Sequence, residues 1–411
     1  DNVHSFLNAK ASSILCAAAD SAHPMGMQCS SLCRDDSIKL RHEQTKEMQF
    51  WQEKMHFSQA SQKLFQAAVL GDPVLATQAV RALGDPNCCS DDGYRPLQVA
   101  ISCGHSELVD LLLKAGADCN SCARSTPPPL VLAAANGDAR MCQHLLDLGA
   151  DLSLTDTLVG DTALMRAADH GHAAVANLIL DHCTVEYRQV LAQKSRVCPQ
   201  GDHATALHLA AGHGFQEICA RLLQVDANPN AQDRAGCMAL HYAARGDHAE
   251  TARILLAKGG VPSGKDRKGA TPLHVASEKG FVKMTELLVL SGADLDAQCG
   301  RRLDRAKGEA PLHLAVQGGH DLICQLLLSH SAEPNIEDEA GETPFSIAFR
   351  EAHVRCCRAL LSAGASVNAV ASDRWEPPYT ELDVQEHARL SVGEYAHAGA
   401  TTGDSDRLIG C

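Results

Sequence analysis

Four histidines, His208, His241, His274 and His313, stand 33, 33 and 39 residues apart. Imidazole at a regular spacing invites a metal reading first. Cys119-Asn120-Ser121-Cys122 has the knuckle spacing of a zinc site, and Cys88 and Cys89 lie about one period earlier. Four thiolates would complete such a site if the two segments lay side by side; the default is that they are ordinary loop cysteines, with no metal or cofactor. Gly259-Gly260-Val261-Pro262-Ser263-Gly264-Lys265 nearly spells a phosphate-binding loop, but Asp266 follows the lysine. That motif needs Ser or Thr there to hold magnesium, and a carboxylate would repel the phosphate, so the segment reads as a connecting loop. No serine–histidine–acid order, His-Glu-x-x-His or paired-carboxylate pattern stands out, and neither a catalytic residue nor an enzymatic activity is expected. One charge pattern does suggest recognition. Arg234, then Arg267 and Lys268, then Arg301, Arg302, Arg305 and Lys307 recur along the chain. Clustered guanidinium groups grip carboxylates and phosphates, so these seven are candidate partner-binding residues for an acidic or phosphorylated peptide.

What positions these groups is a recurring phrase. Leu97, Leu130, Leu164, Leu207, Leu240, Leu273, Leu312 and Phe345 hold the same place in it, at intervals of 33, 34, 43, 33, 33, 39 and 33 residues. The clearest copy starts at Asp266 and runs through Thr271-Pro272-Leu273-His274-Val275-Ala276 to Ser291-Gly292-Ala293-Asp294. Asp266 to Ala270 can form a polar hairpin finger, in which Gly269 supplies the turn. Thr271 is an N-cap, and Pro272 suits the first helical position, where its missing N–H is not needed. Gly280 ends a short first helix; the Leu-Leu-Val rows of a second helix follow, and Gly292 closes it. Leu64 with Gly71 marks a degenerate first copy.

A period of 33 carrying Thr-Pro-Leu-His-x-Ala resembles the ankyrin repeat family, over about residues 62–370. The resemblance implies an all-α fold with short hairpins, an ankyrin-repeat solenoid of about nine helix-turn-helix units. It also implies partner binding through hairpin fingers and inner helices. His208, His241, His274 and His313 match the family's motif histidine, which by that resemblance hydrogen-bonds locally and holds the turn. Departures from the pattern mark places of interest. Asp247 stands where the inter-helix turn glycine belongs, so a strained or altered turn is expected there. The third copy reads Pro127-Pro128-Pro129-Leu130-Val131 and the fourth Thr162-Ala163-Leu164-Met165, both without the histidine. Insertions fall near residues 184–203 and 299–307, and such insertions map to loops. Asn368 lies in a context resembling hydroxylated asparagines of the family, but reads as the close of an inter-repeat loop.

Outside the array, residues 1–61 form a flanking segment, partly helical and suited to cap the first repeat. Residues 371–411 carry eight acids against three bases and read as a disordered tail. The tail lacks the Leu-Cys-Arg box of ubiquitin-ligase adaptors. The whole chain of 411 residues has a net charge of −14, which disfavours general nucleic-acid binding. Its 18 cysteines are scattered, several at helix positions, where a thiol acts as a small buried hydrophobe. No Asn-x-Ser/Thr acceptor occurs and no stretch approaches a membrane span. An intracellular, cytoplasmic protein is expected, serving as a non-catalytic adaptor or scaffold. Because residue 1 is Asp and not Met, the alternative is a regulatory or targeting region of a larger enzyme or channel.

Overall fold

The computed structural model describes residues 59–90, 93–122, 126–156, 160–182, 203–300 and 308–366. The flanking segment up to residue 58, the acidic stretch with Asn368, and the insertions at 183–202 and 301–307 lie outside the described residues.

Thr271 sets the local rule. It is extended (φ −98°, ψ 166°), and the helix begins at Pro272, whose fixed φ suits a first turn. Thr205 and Thr343 start their helices from the same extended conformation. The chain divides into two compact parts, residues 1–267 and 268–411. In the first, helices pair off along the sequence as α1 (Gln59–Leu70) with α2 (Pro73–Arg81), α3 (Pro96–Cys103) with α4 (Ser106–Lys114), and α5 (Pro129–Asn136) with α6 (Ala139–Asp147). They continue as α7 (Ala163–His170) with α8 (Ala173–His182), α9 (Ala206–His213) with α10 (Gln216–Gln224), and α11 (Ala239–Arg245) with α12 (Ala249–Ala257). The second part holds α13 (Pro272–Lys279) with α14 (Val282–Leu290), α15 (Pro311–Gln317) with α16 (Asp321–Ser329), and α17 (Pro344–Arg350) with α18 (Val354–Ser362).

Helices this short do not persist alone in water; stacking holds them. Within the first part the leading helices pack in file, α1 on α3, α3 on α5, and so on to α9 on α11, and in the second α13, α15 and α17 do the same. The marker residues form the core of these files: Leu97, Leu164, Leu240, Leu273, Leu312 and Phe345 are buried. Beside them Ala100, Ala133, Ala134, Ala167, Ala168, Ala210, Ala211, Ala243 and Ala244 have no exposed surface. Small side chains let consecutive layers approach closely, and explain why so few aromatics are needed.

The turn after each leading helix requires a left-handed residue, seven positions past the marker. Glycine supplies it at Gly71, Gly104, Gly137, Gly171, Gly214, Gly280 and Gly319. Asp247 (φ 56°) and Ala352 (φ 59°) adopt it without being glycine. The turn at Asp247 is therefore strained rather than altered, and Asp is among the few residues that tolerate it. Ala352 bears the same strain with no polar side chain to offset it.

The fingers are turns, not strands. Among the described residues no named strand forms, and Thr155 and Thr162 pair only as an isolated antiparallel bridge. Asp233 N–H donates to the Cys237 carbonyl at 3.0 Å, and Gly236 N–H donates to Asp233 at 3.1 Å. The Asp233 carboxylate Oδ1 also accepts from Cys237 N–H at 2.7 Å. Asp338 closes its finger on Glu342 in the same way, and Ser90 on Tyr94. In the fourth copy the closing bond runs from Asp156 N–H to the Asp161 carbonyl, at 2.8 Å. That finger is one residue wider, which accounts for the interval of 34 between Leu130 and Leu164.

Candidate interaction surface at the fingers

Buried acids are anchored at the base of two of the fingers. Tyr242, two positions past its marker leucine, donates its hydroxyl to Asp233 Oδ2 at 2.8 Å. Arg166 holds the equivalent place and reaches Asp156 at 3.2 Å and Asp161 at 3.4 Å. Asp156, Asp161 and Asp233 are all buried. Burial pushes the Asp161 carboxyl up to about 6, even though Arg166 draws it down, and its Oδ1 has no hydrogen-bond partner.

Above Asp233, consecutive fingers touch through their backbones: Arg267 N–H donates to the Ala235 carbonyl at 2.9 Å. A side chain at Gly236 would come within 2.7 Å of that nitrogen, so only glycine lets the two fingers meet. Arg234 and Arg267, both exposed, then border one open depression of about 560 Å³ together with His203 and Asp233. Among the described basic candidates, these two border the same depression. Lys268 is an exposed residue at the start of the second compact part. Arg301, Arg302, Arg305 and Lys307 lie outside the described residues. His203 is the residue that sequence reasoning missed; it sits at the end of an insertion, where repeat register no longer predicts position.

The four spaced histidines are buried and engaged on the ring. Thr205 N–H lies 3.2 Å from His208 Nδ1, so that nitrogen accepts and Nε2–H donates to the Cys237 carbonyl at 3.1 Å. His274 takes Thr271 N–H and donates to Glu309; His313 takes Ala310 N–H and donates to Glu342. His241 accepts from Met238 N–H at 3.1 Å. A ring whose two nitrogens are bonded in this way has no lone pair to offer a metal. Gln98 completes the same circuit: its Oε1 accepts from Arg95 N–H and its Nε2 donates to the Ser121 and Pro127 carbonyls. An amide carries a donor and an acceptor, and that chemistry was the available signal.

The family model described as ankyrin repeats (3 copies) matches residues 64–156, 130–233, 207–299 and 297–371. The chain belongs to the ankyrin repeat family.

Ankyrin repeats are generally protein–protein interaction modules, and their fold is typically non-catalytic. The other suggestive motifs of this ankyrin chain are occupied by structural bonds. In Cys119-Asn120-Ser121-Cys122 the working residue is Asn120, whose amide donates to the Gly149 carbonyl and accepts from Asp151 N–H. Asn87, Asn230 and Asn335 clip the next ankyrin repeat identically. Cys119 donates to the Leu148 carbonyl at 3.8 Å, Cys88 is buried, and Cys89 and Cys122 are exposed. Among the described residues no group of three or more His, Cys, Asp or Glu side chains could hold a metal ion. Gly259 and Gly260 close α12, and the Gly259 carbonyl receives the Asn230 clip. Among the described residues no helix is long and apolar enough to cross a membrane.

Proposed function

We propose that this ankyrin array is a non-catalytic adaptor or scaffold that grips an acidic or phosphorylated peptide segment of a partner protein at its fingers. The observation that carries this reading is the depression where Arg234 and Arg267 stand beside His203 and the buried Asp233, two guanidinium groups on a chain of net charge −14. Guanidinium groups pair with carboxylate or phosphate in a planar, bidentate way. The backbone contact between the two fingers fixes their spacing in advance, which lowers the ordering cost of binding. Lys268 and the basic residues at 301–307 extend the same chemistry along the sequence.

The test is a binding screen of acidic and phosphorylated peptides against the wild-type chain and the Arg234→Glu/Arg267→Glu variant. Binding should weaken with added salt in the wild type and fall by about tenfold or more in the variant. Peptide binding that is indifferent to both salt and charge reversal would sink the proposal.

A further inference from the structure

The inter-helix turn of most repeats carries a ring that folds back over the repeat before it. His105 lies against Gly71, His172 against Gly137, Phe215 against Gly171 and His248 against Gly214 in the first part; His320 lies against Gly280 and His353 against Gly319 in the second. The fit is close: a methyl group added to Gly137 would stand 2.6 Å from the His172 ring. Four of the histidines also form a bond there. Since a carbonyl only accepts, Nε2–H of His172, His248, His320 and His105 donates to the carbonyls of Ala135, Gly212, Glu278 and Val69, at 3.1, 3.1, 3.2 and 3.4 Å. Each carbonyl lies two residues before the turn glycine.

At Gly104 the pattern stops. The ring position, 33 residues after His105, is Asp138, and a methyl added to Gly104 would meet nothing within 4 Å. Asp138 turns its carboxylate to cap α6, accepting from Met141 N–H at 3.0 Å. Ser102 takes the place of Val69, Ala135, Gly212 and Glu278, and Asp138, its side chain turned to the helix cap, brings no ring N–H to that carbonyl. An open notch of about 510 Å³ results, lined among others by Ser102, Gly104, Asp138, Met141 and His172.

We propose that this notch docks an imidazole ring presented by a histidine side chain of a partner protein. The chain supplies the template: the same cradle holds its own histidine ring in other repeats, flat on a glycine with Nε2–H aimed at a carbonyl. Asp138 adds a carboxylate to the rim, which favours an N–H-bearing ring over a phenyl ring. A single ring buries little surface, so it binds weakly alone and acts as one anchor of a larger contact. The notch lies at the end of the leading helix opposite the finger, and its occupation is independent of the arginine depression.

The experiment titrates N-acetyl-histidine methylamide into the full chain and follows the backbone amide resonances of Gly104 and Asp138. Saturable shifts at both are expected, with N-acetyl-phenylalanine methylamide binding about fivefold more weakly or worse. Asp138→His should fill the notch with its own ring, abolish probe binding and raise the melting temperature. Asp138→Asn keeps a helix cap without a ring and should still bind. No saturable shift at Gly104, equal affinity for the phenylalanine probe, undiminished binding in Asp138→His, or lost binding in Asp138→Asn would each overturn the assignment. Acidic-peptide binding at Arg234 and Arg267 is read separately in Asp138→His, so a failure of one site is not mistaken for a failure of the other.

Discussion

The Tyr242 hydroxyl holds Asp233 Oδ2 at 2.8 Å directly beneath the finger that presents Arg234. Burial, and then the bond to Asp233, push the phenol's pKa up, so it remains a donor at any physiological pH. Tyr242→Phe leaves a buried carboxylate oxygen without that donor. A loss of about 1–3 kcal/mol is expected by urea unfolding. The same variant should weaken acidic-peptide binding although no charge on the surface has changed.

Asn230 bridges to the next repeat with both ends of its amide, to the Gly259 carbonyl and Val261 N–H, each at 2.9 Å. Asn230→Asp keeps the acceptor and loses the donor, setting a carboxylate against a carbonyl. The expected loss is about 1 kcal/mol, modest because the clip is exposed. Asn335→Asp, in the second part, should lose a similar amount. A urea midpoint unchanged in both would contradict the clip's contribution.

Ala352 is in the left-handed region at φ 59°. Ala352→Gly relieves a strain of roughly 1–2 kcal/mol but adds freedom to the unfolded chain, which offsets part of it. A net gain of about 1 kcal/mol is expected, read as a higher melting temperature.

Asp161 and His313 give the chain opposing responses to pH. Burial raises the Asp161 carboxyl from 3.8 to about 6, so the folded state holds its proton more tightly than the unfolded state does. Its contribution is complete below pH 3.8 and is lost as pH rises through about 6. Asp161→Asn should therefore gain stability over wild type above pH 6, by up to about 3 kcal/mol. Paired melts at pH 4 and pH 7 measure this directly.

His313 acts in the other direction. Burial lowers its pKa below the usual 6.5, which keeps the ring neutral in the fold. Its contribution is present above 6.5 and is lost as pH falls below that value towards the folded pKa. His313→Gln should flatten this acidic slope while staying within about 1 kcal/mol of wild type at pH 7, because Gln98 shows that an amide completes the same circuit. A steep slope surviving in the variant would assign it to other groups.

The repeat was legible in the sequence because burial demands a leucine at one place per layer, and Leu97 through Leu312 keep that place whatever surrounds them. The role of Gln98 was hidden because the residue type changed while its hydrogen-bonding chemistry did not. Ala352 was hidden for the opposite reason: its side chain is ordinary and only its backbone is unusual. The basic candidates were harder still. Arg234 and Arg267 share a depression because Gly236 lets two fingers touch, a backbone contact that spacing alone does not reveal. His203 and the basic residues at 301–307 belong to insertions, where counting from a marker leucine gives no position.

The clips and ring bonds also keep folding a matter between neighbours. His208 reaches Cys237 across 29 residues, His248 reaches Gly212 across 36 and His172 reaches Ala135 across 37. Each of these bonds ends in the adjacent repeat. Within each compact part the contact order is therefore low, folding can nucleate in any neighbouring pair of layers, and order spreads outward one layer at a time. Trimming a part from its free end should shorten the stack stepwise, leaving the remaining layers to fold without it.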